Sequence, residues 1–245
     1  DPQEIKISTE AGRNAASTAT ADEKQEMIAC NIKLLLRKIP RNVTLVAVSK
    51  FQPAPMILEA YNTGLLVFGE SRSREMLQKI PLLPQDIQWH FIGHLQTNKV
   101  KEVVGRAAMI QSVDSVRLLN AIQQEASRTG VVQDVLLQVR IAQEETKYGF
   151  MPSELPQACL LPLPNTRICG LMGMATLTEN KEKVRSEFRM LRQLFETLRS
   201  GPDVDYEAFC HCSMGMSGDY DIAIEEGSTM VRIGSAIFPP RPQKS

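Results

Sequence analysis

Eight short apolar runs, each separated from the next by a helix-like segment, constrain this chain more than any other feature. The runs lie at 43–48 (VTLVAV), 65–68, 89–92, 108–113, 131–141, 167–172, 209–213 and 229–233 (TMVRI). Continuous apolar runs of this length predict strands covered on both faces. Segments 56–62, 72–79, 96–104, 115–128, 152–160, 181–198 and 220–226 predict helices, with Gly64, Gly105 and Gly130 as stops and Pro152 in a first turn. Another helix opens at Thr20-Ala21-Asp22, where Met27, Ile28, Ile32, Leu35 and Leu36 recur at three- and four-residue steps before Pro40. Strands alternating with helices predict a parallel sheet, and closure into a single α/β barrel of the (β/α)8 (TIM) type is its simplest form. The 245 residues suit one such barrel, for which about 250 is typical. An open doubly wound sheet is the alternative, but no GxGxxG follows the first strand.

Charge and cysteine content narrow the setting. Lys plus Arg and Asp plus Glu both number 28, a net charge of zero, so neither nucleic acid nor a membrane surface is an expected partner. Five cysteines (30, 159, 169, 210 and 212) form no small-scaffold pattern, which predicts reduced thiols in the cytoplasm. No apolar run approaches the roughly 18 residues of a membrane span, and no basic-then-apolar signal opens the chain. Residues 1–20, small and polar, read as a flexible leader, and 21–245 as the barrel.

A parallel barrel carries its chemistry at the C-terminal ends of its strands. Lys50, directly after VTLVAV, is the residue of interest there. Low-dielectric walls would favour its neutral amine, the form that condenses with aldehydes. A snorkelling strand-end lysine is an equal reading of position alone. Closure would set strand eight beside strand one and so bring Arg232 near Lys50. The Gly227-Ser228-Thr229 segment and the Ser213–Ser217 loop would approach the same sector as a phosphate cradle, although Gly-Ser-Thr is also ordinary turn chemistry. An aldehyde-capturing lysine, a phosphate cradle and an arginine suggest pyridoxal 5′-phosphate, held covalently on Lys50. Arg232 would donate to the ring nitrogen and disfavour its protonation, or would simply form an ion pair inside the barrel. Among Met172, Met174, Met214 and Met216, soft packing is expected, with Met174 against the cofactor face. His90, His94, Cys210, His211 and Cys212 lack zinc-ligand spacing and read as packing and rim residues. Lys147 and Lys99 read as loop and rim charges.

Several motifs together carry a resemblance: LVAVSK at 45–50, FGES at 68–71, WHFIGHLQTNK at 89–99, KYGF at 147–150, GLMGMAT at 170–176, SMGMSGD at 213–219 and GSTMVRIGSAIF at 227–238. In this order they resemble the YggS/PROSC family of pyridoxal-phosphate homeostasis proteins. The resemblance implies a barrel like the alanine racemase N-terminal domain, with the cofactor on Lys50 as a Schiff base. It implies phosphate contacts from Ser213, Gly227, Ser228 and Thr229, with Arg232 at the pyridine nitrogen. The implied role is cofactor binding, homeostasis and delivery, with pyridoxal-phosphate-dependent apoenzymes as recipients and a monomer as the working form. No assigned turnover goes with it. Ser71 stands where many members carry Asn, so that amide contact does not transfer.

Two other functions compete. An amino-acid racemase would need a second base facing Lys50. The resembling racemases draw a tyrosine from a partner subunit and carry an extra β domain, and Tyr61, Tyr148, Tyr206 and Tyr220 here lie in no comparable segment. A cofactor-free aldolase would instead use the Lys50 amine directly on a sugar phosphate.

Overall fold

The computed structural model describes residues 19–144 and 148–240. Lys147, the leader up to residue 18 and residues 241–245 lie outside them. Eight parallel strands close into one barrel in sequence order: β1 (Thr44–Val48), β2 (Val67–Glu70), β3 (Gln88–Phe91), β4 (Met109–Val113), β5 (Gln133–Gln138), β6 (Thr166–Met172), β7 (His211–Ser213) and β8 (Met230–Ile233). The barrel expectation therefore holds over the open sheet. Closure is made by β8 against β1, where Val46 pairs with Arg232 and Ala47 with Ile233.

The helices wrap this sheet: α1 (Ala21–Lys38), α2 (Ala54–Asn62), α3 (Ser73–Lys79), α4 (Val100–Val103), α5 (Val116–Thr129), α6 (Leu155–Cys159), α7 (Lys181–Arg199) and α8 (Tyr220–Glu225). Local chemistry sets their ends. Thr20 caps α1 by accepting from the Glu23 N–H, and the Glu23 carboxylate accepts from the Thr20 N–H at 2.7 Å, a reciprocal capping box. Gly130, in the left-handed region at φ 69°, closes α5. Asn180 caps α7, whose buried stripe is Val184, Phe188, Leu191, Phe195 and Leu198. The Asn31 amide of α1 donates to the Ile237 carbonyl at 3.0 Å and ties the segment after β8 to the helical layer.

Two apolar regions result. The larger lies between sheet and helices and includes Phe68, Phe91, Phe188 and Phe195. The smaller fills the barrel itself, with Val46, Met109, Leu136, Cys169, Met172 and Met230, and Met174 packed against it. Two strands depart from expectation. The run at 65–68 predicts β2, but Leu65 and Leu66 precede it and Gly69-Glu70 complete it. The run at 131–141 ends as a strand at Gln138, and Val139 bridges only to Phe150. Among the described residues no helix is long and apolar enough to cross a membrane.

Candidate functional site

The turns after β7, β8 and β1 enclose a cleft of about 660 Å³ at the C-terminal end of the barrel. Lys50 and Arg232 both line it, with Ser217, Gly218, Gly234 and Ser235. The parallel pairing of β1 with β8 accounts for the meeting, since Val46 stands beside Arg232 and Lys50 lies just beyond the C-terminal end of β1. Close backbone approach shapes the cleft wall. A Cβ at Gly234 would come within 3.2 Å of both the Val48 carbonyl oxygen and its Cβ. The Gly234 N–H donates to the Ser217 hydroxyl at 3.3 Å and locks the turn after β8 to the turn after β7.

Lys50 is exposed, so the burial expected from its position after VTLVAV is not found. Its backbone, in contrast, is firmly held. The Ser49 hydroxyl donates to Glu70 Oε1 at 2.7 Å, and Lys79 Nζ donates to the Ser49 carbonyl at 2.7 Å and to Glu70 Oε1 at 2.6 Å. Lys79 also meets Glu75 Oε1 at 2.7 Å, and that same carboxylate accepts from the Phe51 N–H. Phe51 sits at φ 62°, the left-handed region that costs a non-glycine residue about 1–2 kcal/mol. Both peptide groups flanking Lys50 are thus pinned to one Glu70–Lys79–Glu75 triad, in which Glu70 and Lys79 are buried and Glu75 is half-buried. Burial raises the Glu70 carboxyl above its ordinary value against the opposing pull of Lys79, and Glu70 Oε2 has no hydrogen-bond partner among the described residues.

Arg232 is 3% exposed. It donates from Nη1 to the Ser213 hydroxyl at 2.6 Å and from Nη2 to the Gly173 carbonyl at 3.1 Å. Burial pulls its pKa down to about 10, with Asp219 acting in the opposite direction, so it remains charged at neutral pH. The chain of contacts continues inward. Ser213 Oγ donates to Gln111 Oε1 at 2.6 Å, and Gln111 Nε2 lies 2.7 Å from His90 Nδ1. Arginine only donates, so each later polarity follows, and His90 Nδ1 accepts. Burial, reinforced by His211, holds His90 down to about 4. His90 is thus a neutral terminus of a buried polar line, and His94 is a rim residue paired with Asp114 at 3.1 Å.

The other expected residues part company. Ser213 is buried and reaches the site through Arg232. Gly227, Ser228 and Thr229 precede β8 and lie at the opposite end of the barrel: the Thr44 N–H donates to the Thr229 carbonyl at the start of β1. A four-residue strand, at about 3.3 Å per residue, sets them roughly 13 Å from the mouth. The Ser228 hydroxyl is taken by the Met214 and Met230 carbonyls at 2.7 and 2.9 Å, and Thr229 Oγ1 accepts from the Cys212 N–H at 2.8 Å. These contacts make Gly227–Thr229 a brace between β7 and β8, and the structure does not bring them to Lys50. Met174 faces the barrel filling and the Tyr148 side of the rim, outside the Lys50 cleft. Gly218, Gly234 and Ser235 are the residues that the motif reading passed over, whereas Ser217 closed the expected loop. The strand-end rule applied to β8 would have chosen Gly234 and Ser235.

Comparison with known proteins agrees with this architecture. Residues 24–242 match the family "Alanine racemase, N-terminal domain". A pyridoxal phosphate homeostasis protein of Aquifex aeolicus is 46% identical over 200 residues, covering 80% of this chain and 86% of that one. The Homo sapiens protein of the same name is 36% identical over 248 residues, covering 96% of this chain and 89% of that one. The solved structure of PipY from Synechococcus elongatus with pyridoxal phosphate bound superposes with a TM-score of 0.77 at 34% identity, covering 86% of this chain and 99% of that one. An alanine racemase from E. faecalis, 17% identical with a TM-score of 0.68, shares the fold, and this chain spans 59% of its length. By these matches the chain belongs to the pyridoxal phosphate homeostasis protein family.

Proposed function

We propose that this chain binds pyridoxal 5′-phosphate as a Schiff base on Lys50 and serves to store and hand on the cofactor. The observation that carries the reading is the meeting of Lys50 and buried, charged Arg232 in one cleft. The residues present fit the group. The cleft volume lies within the 300–1,000 Å³ of small-molecule sites. When bound, the cofactor would supply an aldehyde for the Lys50 amine and a phosphate for hydrogen-bond donors. Ser217 and Ser235 offer hydroxyls, and Gly218 leaves open space where a side chain would stand. We assign phosphate binding to these two turns rather than to Gly227–Thr229. Arg232 would face the ring nitrogen as a fixed donor, its other contacts already committed to Ser213 and Gly173.

Storage and delivery are favoured over racemisation by the cleft lining. Among the described residues that line it, Lys50 and Arg232 are the only ionisable side chains. A racemase needs a second base opposite the lysine. None of the four tyrosines lines the cleft: Tyr61 is engaged with Asp86 at 2.9 Å, Tyr206 lies under Arg199, and Tyr148 stacks on His94. The exposure of Lys50 favours exchange with an incoming amine over a sealed catalytic cycle. We also place the protein in the cytoplasm, in keeping with five free cysteines, acting as a monomer with pyridoxal-phosphate-dependent apoenzymes as recipients.

Titration of the purified protein with pyridoxal phosphate tests the reading. A visible absorbance band that saturates at one equivalent and is missing from Lys50→Ala is expected. A band of equal strength in Lys50→Ala would overturn it.

A further inference from the structure

The turns after β2 and β3 form a second cavity, of about 400 Å³, at the same end of the barrel as Lys50. Its floor is the buried pair Phe91 and Leu95, and Arg72, Arg74, His94 and Lys99 stand around it. The two turns are built to lie against each other. A Cβ at Gly93 would fall 2.2 Å from the Ser71 carbonyl oxygen, so only glycine permits the approach. Some of the surrounding charge is already spent. Lys99 and the Ser73 hydroxyl both donate to Glu102, at 3.0 and 2.5 Å, and His94 pairs with Asp114. Arg72 lies 4.6 Å over the ring of Phe51, the residue after Lys50. Among the described residues neither Arg72 nor Arg74 has a carboxylate within ion-pair distance, and Arg74 acts on Glu102 only at longer range.

Two guanidinium groups uncommitted to ion pairs, above an apolar floor, define a ligand chemistry. A guanidinium fork matches a phosphate in a way that a lone ammonium does not. The Phe91–Leu95 floor adds affinity for a flat, weakly polar ring beside the phosphate. We propose that this cavity is a second binding site, distinct from the Lys50 cleft, for a phosphate monoester carried on an aromatic ring. Arg72, which lines this cavity, also lies over Phe51, the residue that follows Lys50 in the chain. The site goes beyond the reading of Lys50 as the cofactor anchor and rests on different side chains.

The test uses the full chain after treatment with pyridoxal phosphate and borohydride, which occupies Lys50 permanently. Pyridoxine 5′-phosphate, which has the ring and phosphate but no aldehyde, is then titrated by calorimetry, with inorganic phosphate in a parallel arm. One further saturable site is expected. Loss of a charge-assisted contact predicts about tenfold or greater weakening in Arg74→Glu, with Arg74→Lys intermediate. The ring ester should bind at least about tenfold more tightly than inorganic phosphate. Absence of binding to the treated protein, or affinity unchanged in both Arg72→Glu and Arg74→Glu, would overturn the site. Equal affinity for ester and inorganic phosphate would overturn the ring floor. Failure of borohydride to label Lys50 would instead count against the cofactor anchor, and the same titration on untreated protein would still decide the cavity.

Discussion

At the residue scale, the candidate site joins a surface lysine and a buried arginine in one cleft, and the arginine is the more constrained of the two. Arg232 depends on Ser213, Ser213 on Gln111, and Gln111 on neutral His90. Ser213→Ala leaves the Gln111 carbonyl and one guanidinium nitrogen without a buried partner. It should cost about 1–3 kcal/mol of stability in urea unfolding and loosen cofactor binding in the same sample. His90 also predicts a pH dependence. Its folded pKa, about 4, lies below the ordinary histidine value of 6.5, so the unfolded chain takes up a proton that the folded chain refuses. Stability from this group is complete above about pH 6.5 and declines as pH falls toward 4. The decline should flatten in His90→Gln, as read from midpoints of unfolding at pH 7 and pH 5. An identical slope in the variant would exclude His90 as its source. Lys50 and Arg232 were legible because each stands at a strand end that closure brings together. Gly-Ser-Thr has phosphate-binding chemistry, but the fold sets it at the end of β8 away from Lys50. The Gln111 line was invisible, since a mid-strand glutamine carries no sequence signal until the barrel closes around it.

At the element scale, α3 does more than cover β2. Its last residue, Lys79, reaches back to the Ser49 carbonyl and to Glu70 at the end of β2, while Glu75 holds Lys79 and the Phe51 N–H. The helix thereby fixes the backbone on both sides of an exposed lysine, and Lys50 has a defined origin despite a mobile side-chain type. Removing the buried cation in Lys79→Met leaves two carboxylates facing each other. A loss of about 3 kcal/mol or more is expected in chemical unfolding, partly recovered in Lys79→Met with Glu70→Gln. The sequence showed a helix at 72–79 but not this role, because Lys79 finds its Ser49 and Glu70 partners on other elements. The displacement of β2 toward Gly69-Glu70 has the same origin. Glu70 lowers the apolar score of its run, yet Lys79 and Ser49 supply the partners that let it finish the strand.

At the scale of the whole molecule, alternation of strand and helix specified a parallel sheet, and the count of eight strands made the closed barrel its simplest form. The long helix α7 anchors that covering. Phe195 is 1% exposed and stacks on Phe209 with ring centroids 5.3 Å apart. Phe195→Ala should cost about 3–5 kcal/mol, read by thermal or urea unfolding, without altering the residues of the cleft. Closure also builds the candidate site, since the β8–β1 seam brings Arg232 and Lys50 to one cleft. The measurement that reaches this point most directly is borohydride reduction in the presence of pyridoxal phosphate, followed by peptide mapping by mass spectrometry. One pyridoxyl group per chain on Lys50, with labelling sharply weakened in Arg232→Leu, is the predicted result. Labelling spread over several surface lysines, or confined to a lysine other than Lys50, would contradict it.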